Sequence, residues 1–149
     1  MNNFSELSLS PVLKQNLSAL GFSQPTPVQA QTIPVALTGS DLVATAQTGT
    51  GKTLAFVLPL IQMLSANPVA GVGSVILTPT RELAIQIHEV FVKLAKGTGL
   101  SGAVVVGGLN ENAQLRDIRR GAQVVIATPG RLEDFLNRRL VKLGAVRVL

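Results

Sequence analysis

Ala46-Gln47-Thr48-Gly49-Thr50-Gly51-Lys52-Thr53 decides how this chain is read. The apolar run Leu42-Val43-Ala44 leads into it, and Leu54-Ala55-Phe56-Val57-Leu58 follows. A buried strand, a glycine-rich turn and an apolar helix are predicted in that order. Glycines let such a turn bend until several backbone N–H groups face one anion. A helix starting near Lys52 adds the positive end of its dipole. Lys52 is placed to reach the β- and γ-phosphates of a nucleotide, and Thr53 to offer its hydroxyl to Mg2+. Ala46 stands where the general phosphate-loop pattern has its first glycine, so the match is one residue short.

Beyond the turn, helix and strand alternate. A helix is predicted from Gly51 to about Ser65, then a Gly- and Pro-containing loop over Asn67–Gly73. Strand Ser74–Thr78 precedes Pro79 and a helix to about Lys96, with Leu83, Ile87, Val90, Phe91 and Leu94 as its apolar face. Strand Gly102–Val106 leads through Gly107-Gly108 into a helix over Glu111–Arg120. Strand Gln123–Thr128 leads through Pro129-Gly130 into a helix to about Leu140, and Val146-Arg147-Val148-Leu149 begins another strand. With Asp41–Ala46, most of these strands are unbroken apolar runs, the mark of a parallel sheet covered by helices on both faces. The fold class is therefore α/β. Ligands of such sheets sit beyond the carboxyl ends of the strands. The polar clusters at 46–53, 78–82, 107–110 and 128–131 all fall there, as four loops on one rim.

Upstream, residues 1–40 form a helical segment apart from the alternating part, 41–149. Ser10-Pro11 and Thr26-Pro27 each pair an N-cap residue with proline at the first helical position. The first helix places Val12, Leu13, Leu17 and Leu20 on one face and ends at Gly21. The second carries Val28, Ala30 and Ile33, with Pro34 expected to kink it.

Of 149 residues 46% are apolar and 14% charged, which excludes disorder and is low in charge for a complete soluble domain. Eight of the thirteen basic residues lie from Arg116 onward, so the net charge of +5 is uneven and admits a polyanionic partner. The absence of cysteine excludes disulfides and thiolate metal sites. The N-terminus has no signal-peptide pattern and no apolar run is long enough for a membrane helix, so a cytoplasmic protein without membrane contact is expected.

Five short motifs in order then carry a resemblance. Gly21-Phe22-Ser23-Gln24-Pro25-Thr26-Pro27-Val28-Gln29 resembles the Q motif of DEAD-box RNA helicases, which belong to helicase superfamily 2. Ala46–Thr53 is similar to their motif I, where alanine in the first position is usual. Pro79-Thr80-Arg81-Glu82-Leu83-Ala84 resembles motif Ia, Gly107-Gly108 the GG motif, and Thr128-Pro129-Gly130-Arg131 motif Ib. Within the family the chain looks most like bacterial RhlE-type members. The resemblance implies the N-terminal part of a first RecA-like domain, its P-loop sheet sandwiched by helices and broken off before the Walker B strand ends.

What the resemblance implies about the site agrees with the chemistry of the residues. Gln29 carries a donor and an acceptor on one amide, which matches the N7 and N6 edge of adenine. Guanine presents two acceptors there, and a buried group left without its hydrogen bond costs about 1–3 kcal/mol. Phe4 lies where the family has an aromatic stacked on the base. The cofactor set is ATP with Mg2+, held by Phe4, Gln29 and the loop Ala46, Gln47, Thr48, Gly49, Thr50, Gly51, Lys52 and Thr53, with Lys52 and Thr53 in the catalytic role. RNA, single-stranded or duplex, is expected along Pro79, Thr80, Arg81, Gly107, Gly108, Thr128, Pro129, Gly130 and Arg131. Arg81 and Arg131 stand near helix starts, where cations oppose the dipole, which favours function over stability. Aromatics are 3% of the chain, all phenylalanine, so recognition through the phosphate backbone is expected rather than base stacking.

Leu149 falls inside an apolar strand, so the chain reads as cut short. The family's Asp-Glu-Ala-Asp carboxylates, its Ser-Ala-Thr motif and its C-terminal helicase domain are expected beyond it. The chain by itself is expected to lack hydrolysis, and an open sheet edge beside the phosphate-loop strand is expected to cause self-association or altered pairing. Two other functions fit parts of the pattern: another P-loop enzyme, such as a small-molecule kinase, and a non-enzymatic RNA-binding or inhibitory module.

Overall fold

The computed structural model describes all 149 residues. Helix starts follow the local chemistry of the sequence. α1 (Pro11–Ala19) is capped by Ser10, whose Oγ accepts from the Leu13 N–H at 3.4 Å. α2 (Pro27–Ala36) is capped by Thr26 and runs through Pro34 without interruption. α3 (Lys52–Ala66) is the longest helix and contains the buried Pro59. β1 (Ser74–Leu77), α4 (Arg81–Leu94), β2 (Gly102–Val105), α5 (Glu111–Arg119), β3 (Val124–Ala127) and α6 (Pro129–Asn137) then alternate as the apolar runs predict. A short 3-10 turn, Phe4–Glu6, capped by Asn3, precedes them and has no counterpart in the sequence reading.

The three strands form a parallel sheet in the order β1-β3-β2. Val124 sits opposite both Ser74 and Gly102, and Ala127 opposite both Leu77 and Val105. All four β3 residues are buried, as expected of a central strand covered on both faces. Val124 and Ile126 join a core with α1, α3 and α4, while Val125 and Ala127 join a second core with Leu115, Leu132 and Phe135 of α5 and α6. The two-residue period of the strand thus divides the sheet between two helical layers.

The N-terminal helices are tied to this frame by polar contacts. Asn16 Nδ2 donates to the carbonyls of Leu94 at 2.7 Å and Lys96 at 2.8 Å, closing the end of α4. The Ser10 N–H donates to Gln62 Oε1 at 2.8 Å. No helix is long and apolar enough to cross a membrane.

The structure corrects several element-level expectations. Asp41–Ala46 is irregular rather than a strand, and Val43 is 95% exposed. A strand is stabilised by hydrogen bonds to a neighbour, and this run has none in the sheet. The last run contributes one bridge, Val148 beside Ser74, with hydrogen bonds from the Val75 N–H to the Val148 carbonyl and from the Arg147 N–H to the Gly73 carbonyl, so the outer edge of β1 is paired at its start and open beyond. A hollow of about 680 Å³ lies between, lined by Leu42, Ala44, Lys52, Phe56, Val148 and Leu149 among others. On α4 the buried face is Ala84, Ile87, Phe91 and Leu94, with Leu83 exposed. Leu20 is likewise exposed, and α1 buries Leu13 and Leu17 alone.

Candidate nucleotide loop and nucleic-acid rim

The loop at 46–53 has the backbone its glycines allow. Gly49 and Gly51 take φ values of 81° and 86°, a left-handed region costly for other residues. Gly51 is the N-cap of α3 and offers no side chain to the first turn, so the first N–H groups of the helix have no side-chain cap. Thr50 Oγ1 donates to the Gln47 carbonyl at 2.7 Å and braces the bend. Lys52 Nζ turns back on the same loop, donating to the carbonyl oxygens of Ala46 and Gln47. The arrangement can hold an anion: uncapped N–H groups, a dipole end and an ammonium converge within eight residues.

Gln29 reaches this loop from α2. It is 3% exposed and lies on the buried side of its helix with Thr32 and Ile33. Its Oε1 accepts from the Thr26 N–H and its Nε2 donates to the Gly51 carbonyl, both at 3.0 Å. A side chain at Gly51 would collide with that Nε2. The amide orientation is therefore set by one donor and one acceptor of the backbone. Phe4 is 4% exposed and belongs to the main core, while lining a small hollow of about 290 Å³ with Asn3, Lys14 and Phe22. The structure does not bring Gln29 into that hollow.

Three further loops leave the carboxyl ends of β1, β3 and β2 on one rim, as parallel strands require. Arg81 Nη1 donates to the Gly107 carbonyl at 3.4 Å, and its guanidinium fills the space a side chain at Gly108 would need. Gly108 has φ 77°. Thr80 Oγ1 accepts from the Leu83 N–H at 3.3 Å, capping α4 while keeping its hydroxyl hydrogen to donate. Pro79, Gly107, Pro129 and Gly130 are exposed. α1, α2, α4 and α5 all carry a side-chain cap, whereas α3 and α6 do not. The two uncapped helix starts are the ones that follow the phosphate loop and Thr128. Unmet N–H groups at a helix start suit phosphate.

Residues 26–149 match the family model described as DEAD/DEAH box helicase. The chain belongs to that family. It is 49% identical over 138 residues to an ATP-dependent RNA helicase, drs1, of Neurospora crassa, covering 91% of this chain and 17% of the fungal protein. The crystal structure of a DEAD box protein from Methanococcus jannaschii superimposes with a TM-score of 0.90 at 38% identity, covering 98% of this chain. A hypothetical ATP-dependent RNA helicase from Sulfolobus tokodaii gives 0.82 at 33% identity over 93%. This chain spans 40% of each of those two solved chains. The narrower resemblance to bacterial RhlE-type members is not supported, since the curated relative is fungal.

In this DEAD/DEAH box chain the rim also contains residues that the motifs did not single out. Gln114, buried in α5, donates through Nε2 to the Val106 carbonyl at 2.9 Å and accepts from the Val106 N–H at 3.3 Å, pinning the turn before Gly107. Glu111 Oε1 accepts from Arg138 Nη2 at 2.6 Å, and its Oε2 lies 3.8 Å from Arg131 Nη1. Arg138 also donates to Asp134 at 2.9 Å, and the Arg131 guanidinium lies 5.6 Å from the Phe135 ring centroid. The hydrogen bond and charge of Arg138, with a smaller contribution from Arg131, hold the Glu111 carboxyl below its ordinary range, while the same bond raises Arg138. Only the Asp134–Arg138 spacing of four was visible as a helical pair in the sequence; the Glu111 contacts cross between helices.

Proposed function

We propose that this chain is the ATP- and RNA-binding part of an RNA helicase that couples ATP hydrolysis to local duplex unwinding. The observation that carries the proposal is the bond from Gln29 Nε2 to the Gly51 carbonyl, which sets a base-reading amide against a phosphate loop. An amide has two N–H donors and two oxygen lone pairs. One of each is engaged with Gly51 and Thr26, which leaves one of each for the N7 and N6 of adenine. Guanine would set its O6 acceptor against the Gln29 oxygen, so the fixed amide selects ATP.

Residues 46–53 fit the triphosphate of that nucleotide. The N–H groups of the uncapped α3 start receive phosphate oxygens, and Lys52 leaves the carbonyls of Ala46 and Gln47 to neutralise the β- and γ-phosphates. Thr53, in the first turn of α3, would hold Mg2+, which supplies charge neutralisation on the β- and γ-oxygens. Phe4 is buried in the main core and lines a hollow that Gln29 does not enter, so the base is assigned to Gln29 alone. These 149 residues contain no Asp-Glu-Ala-Asp run, and hydrolysis is not assigned to any of them.

RNA would follow the rim through Pro79, Thr80 and Arg81, Gly107 and Gly108, and Thr128 to Arg131. Exposed glycine and proline backbone, free hydroxyl hydrogens and the open start of α6 suit phosphates and read no base sequence. Fluorescent ATP and GTP analogues with Mg2+ test the nucleotide part: the ATP analogue should bind at least tenfold more tightly, and equal binding would remove the role given to Gln29. Affinity for single-stranded RNA should be independent of sequence and fall with salt.

A further inference from the structure

We infer that Glu111 sets the RNA affinity of this rim by competing with phosphate for Arg131. The inference rests on the rim being the RNA track. Glu111 opens α5, one residue beyond the Asn110 cap, and its carboxylate reaches across to α6. There it bonds Arg138 at 2.6 Å and stands 3.8 Å from Arg131 Nη1. Arg131 lies in the first turn of α6, and its Nη1 is buried without a hydrogen-bond partner. Its charge is thus balanced by Glu111 while that donor remains unmet. The Phe135 ring centroid lies 5.6 Å from that guanidinium.

Two cations, Arg131 and Arg138, face two carboxylates, Glu111 and Asp134, so the cluster carries no net charge at neutral pH. A phosphate that engages Arg131 arrives within a few ångströms of the Glu111 carboxylate, and like charges at that distance repel. Asp134 is bonded to Arg138, four residues on at the end of α6, and leaves Arg131 to Glu111. Glu111 therefore weakens RNA binding, which keeps a backbone-reading surface releasable. A carboxylate that merely held Arg131 in position would have the opposite effect on affinity.

The test uses the 149-residue chain and a short single-stranded RNA, titrated between about 20 and 200 mM salt. Glu111→Gln should raise affinity at low salt by roughly three- to fivefold, the size of one released surface ion pair. The slope of log affinity against log salt should steepen by up to about 0.7, one further phosphate contact on a single strand. Glu111→Asp, which keeps the charge, should stay near the wild type in that slope. The gain should vanish when Arg131→Gln is added. Unchanged or weaker binding by Glu111→Gln, with the wild type binding normally, would overturn the inference and leave the RNA track standing. If neither form binds at low salt, the RNA track falls and the inference with it. Binding by Glu111→Gln alone would support both.

Discussion

Gln29 and Gly51, twenty-two positions apart, are joined by a hydrogen bond of 3.0 Å from a side-chain amide to a backbone carbonyl. The bond joins two segments that come from different parts of the fold, a capped N-terminal helix and the phosphate loop. It makes the amide proposed to read the base and the loop proposed to hold the triphosphate one mechanical unit. Gln29→Glu keeps an acceptor for the Thr26 N–H but sets an oxygen against the Gly51 carbonyl. Loss of this buried bond should cost about 1–3 kcal/mol in urea unfolding and weaken ATP binding together. Unchanged stability would show that the bond is not made in solution.

Lys52 donates to two carbonyls of its own loop, at the partly exposed start of α3. Lys52→Ala should therefore change stability by about 1 kcal/mol or less, the net value of such bonds. Binding of ATP, measured by calorimetry with Mg2+, should fall below detection. A variant that loses stability instead of affinity would reassign the lysine to a structural role.

Gly108→Ala meets two obstacles at once. Its φ of 77° is strained for alanine by about 1–2 kcal/mol, and the added methyl needs space that the Arg81 guanidinium holds. Arg81 is the flexible partner and should move, breaking its bond to the Gly107 carbonyl. The expected result is a modest loss of stability with a roughly tenfold loss of RNA affinity, about 1.4 kcal/mol. Calorimetric melting and RNA titration of the same sample separate the two effects.

The Glu111–Arg138 pair predicts a pH dependence. The folded-state pKa of Glu111 is depressed, so its contribution is present above its unfolded pKa and is lost as pH falls through the lower folded value. Arg138 is raised and stays charged throughout. Carboxyl carbon NMR should place the Glu111 midpoint below the ordinary 4.5, and Arg138→Ala should return it towards that value. An ordinary midpoint in the wild type would show that the pair is open in solution.

The hollow beside β1 predicts association. Val43 is 95% and Leu149 85% exposed, and the outer edge of β1 carries one bridge. Exposed apolar surface next to unpaired backbone favours pairing between chains. Sedimentation should show species growing with concentration, reduced by Val43→Lys, whose fully exposed position tolerates the charge. A single monomeric species across the micromolar range would contradict this.

Helix starts were legible because their chemistry is local. Ser10-Pro11 and Thr26-Pro27 read as caps and do cap α1 and α2; Thr80 and Asn110, which the sequence reading did not single out as caps, cap α4 and α5 in the same way, each within three residues. β1, β2 and β3 were legible because strands buried on both faces leave continuous apolar runs. The same rule misplaced Asp41–Ala46, since an apolar run states only what a strand would bury. It does not supply the neighbour that pairs with it.

The sequence by itself determined the α/β alternation, the capped starts of α1 and α2 and the glycine turn at 46–53, because each depends on residues a few positions apart. It also ordered the motifs that placed the chain in its family. Tertiary structure decided the rest: Gln29 against Gly51, Arg81 over Gly108, Gln114 under Val106 and Glu111 between Arg131 and Arg138. It also decided that Leu42 lines a hollow and Val43 is exposed instead of entering the sheet. Each of these depends on where distant segments meet, and hydrogen bonds and ion pairs across 8 to 27 positions leave no local period to read.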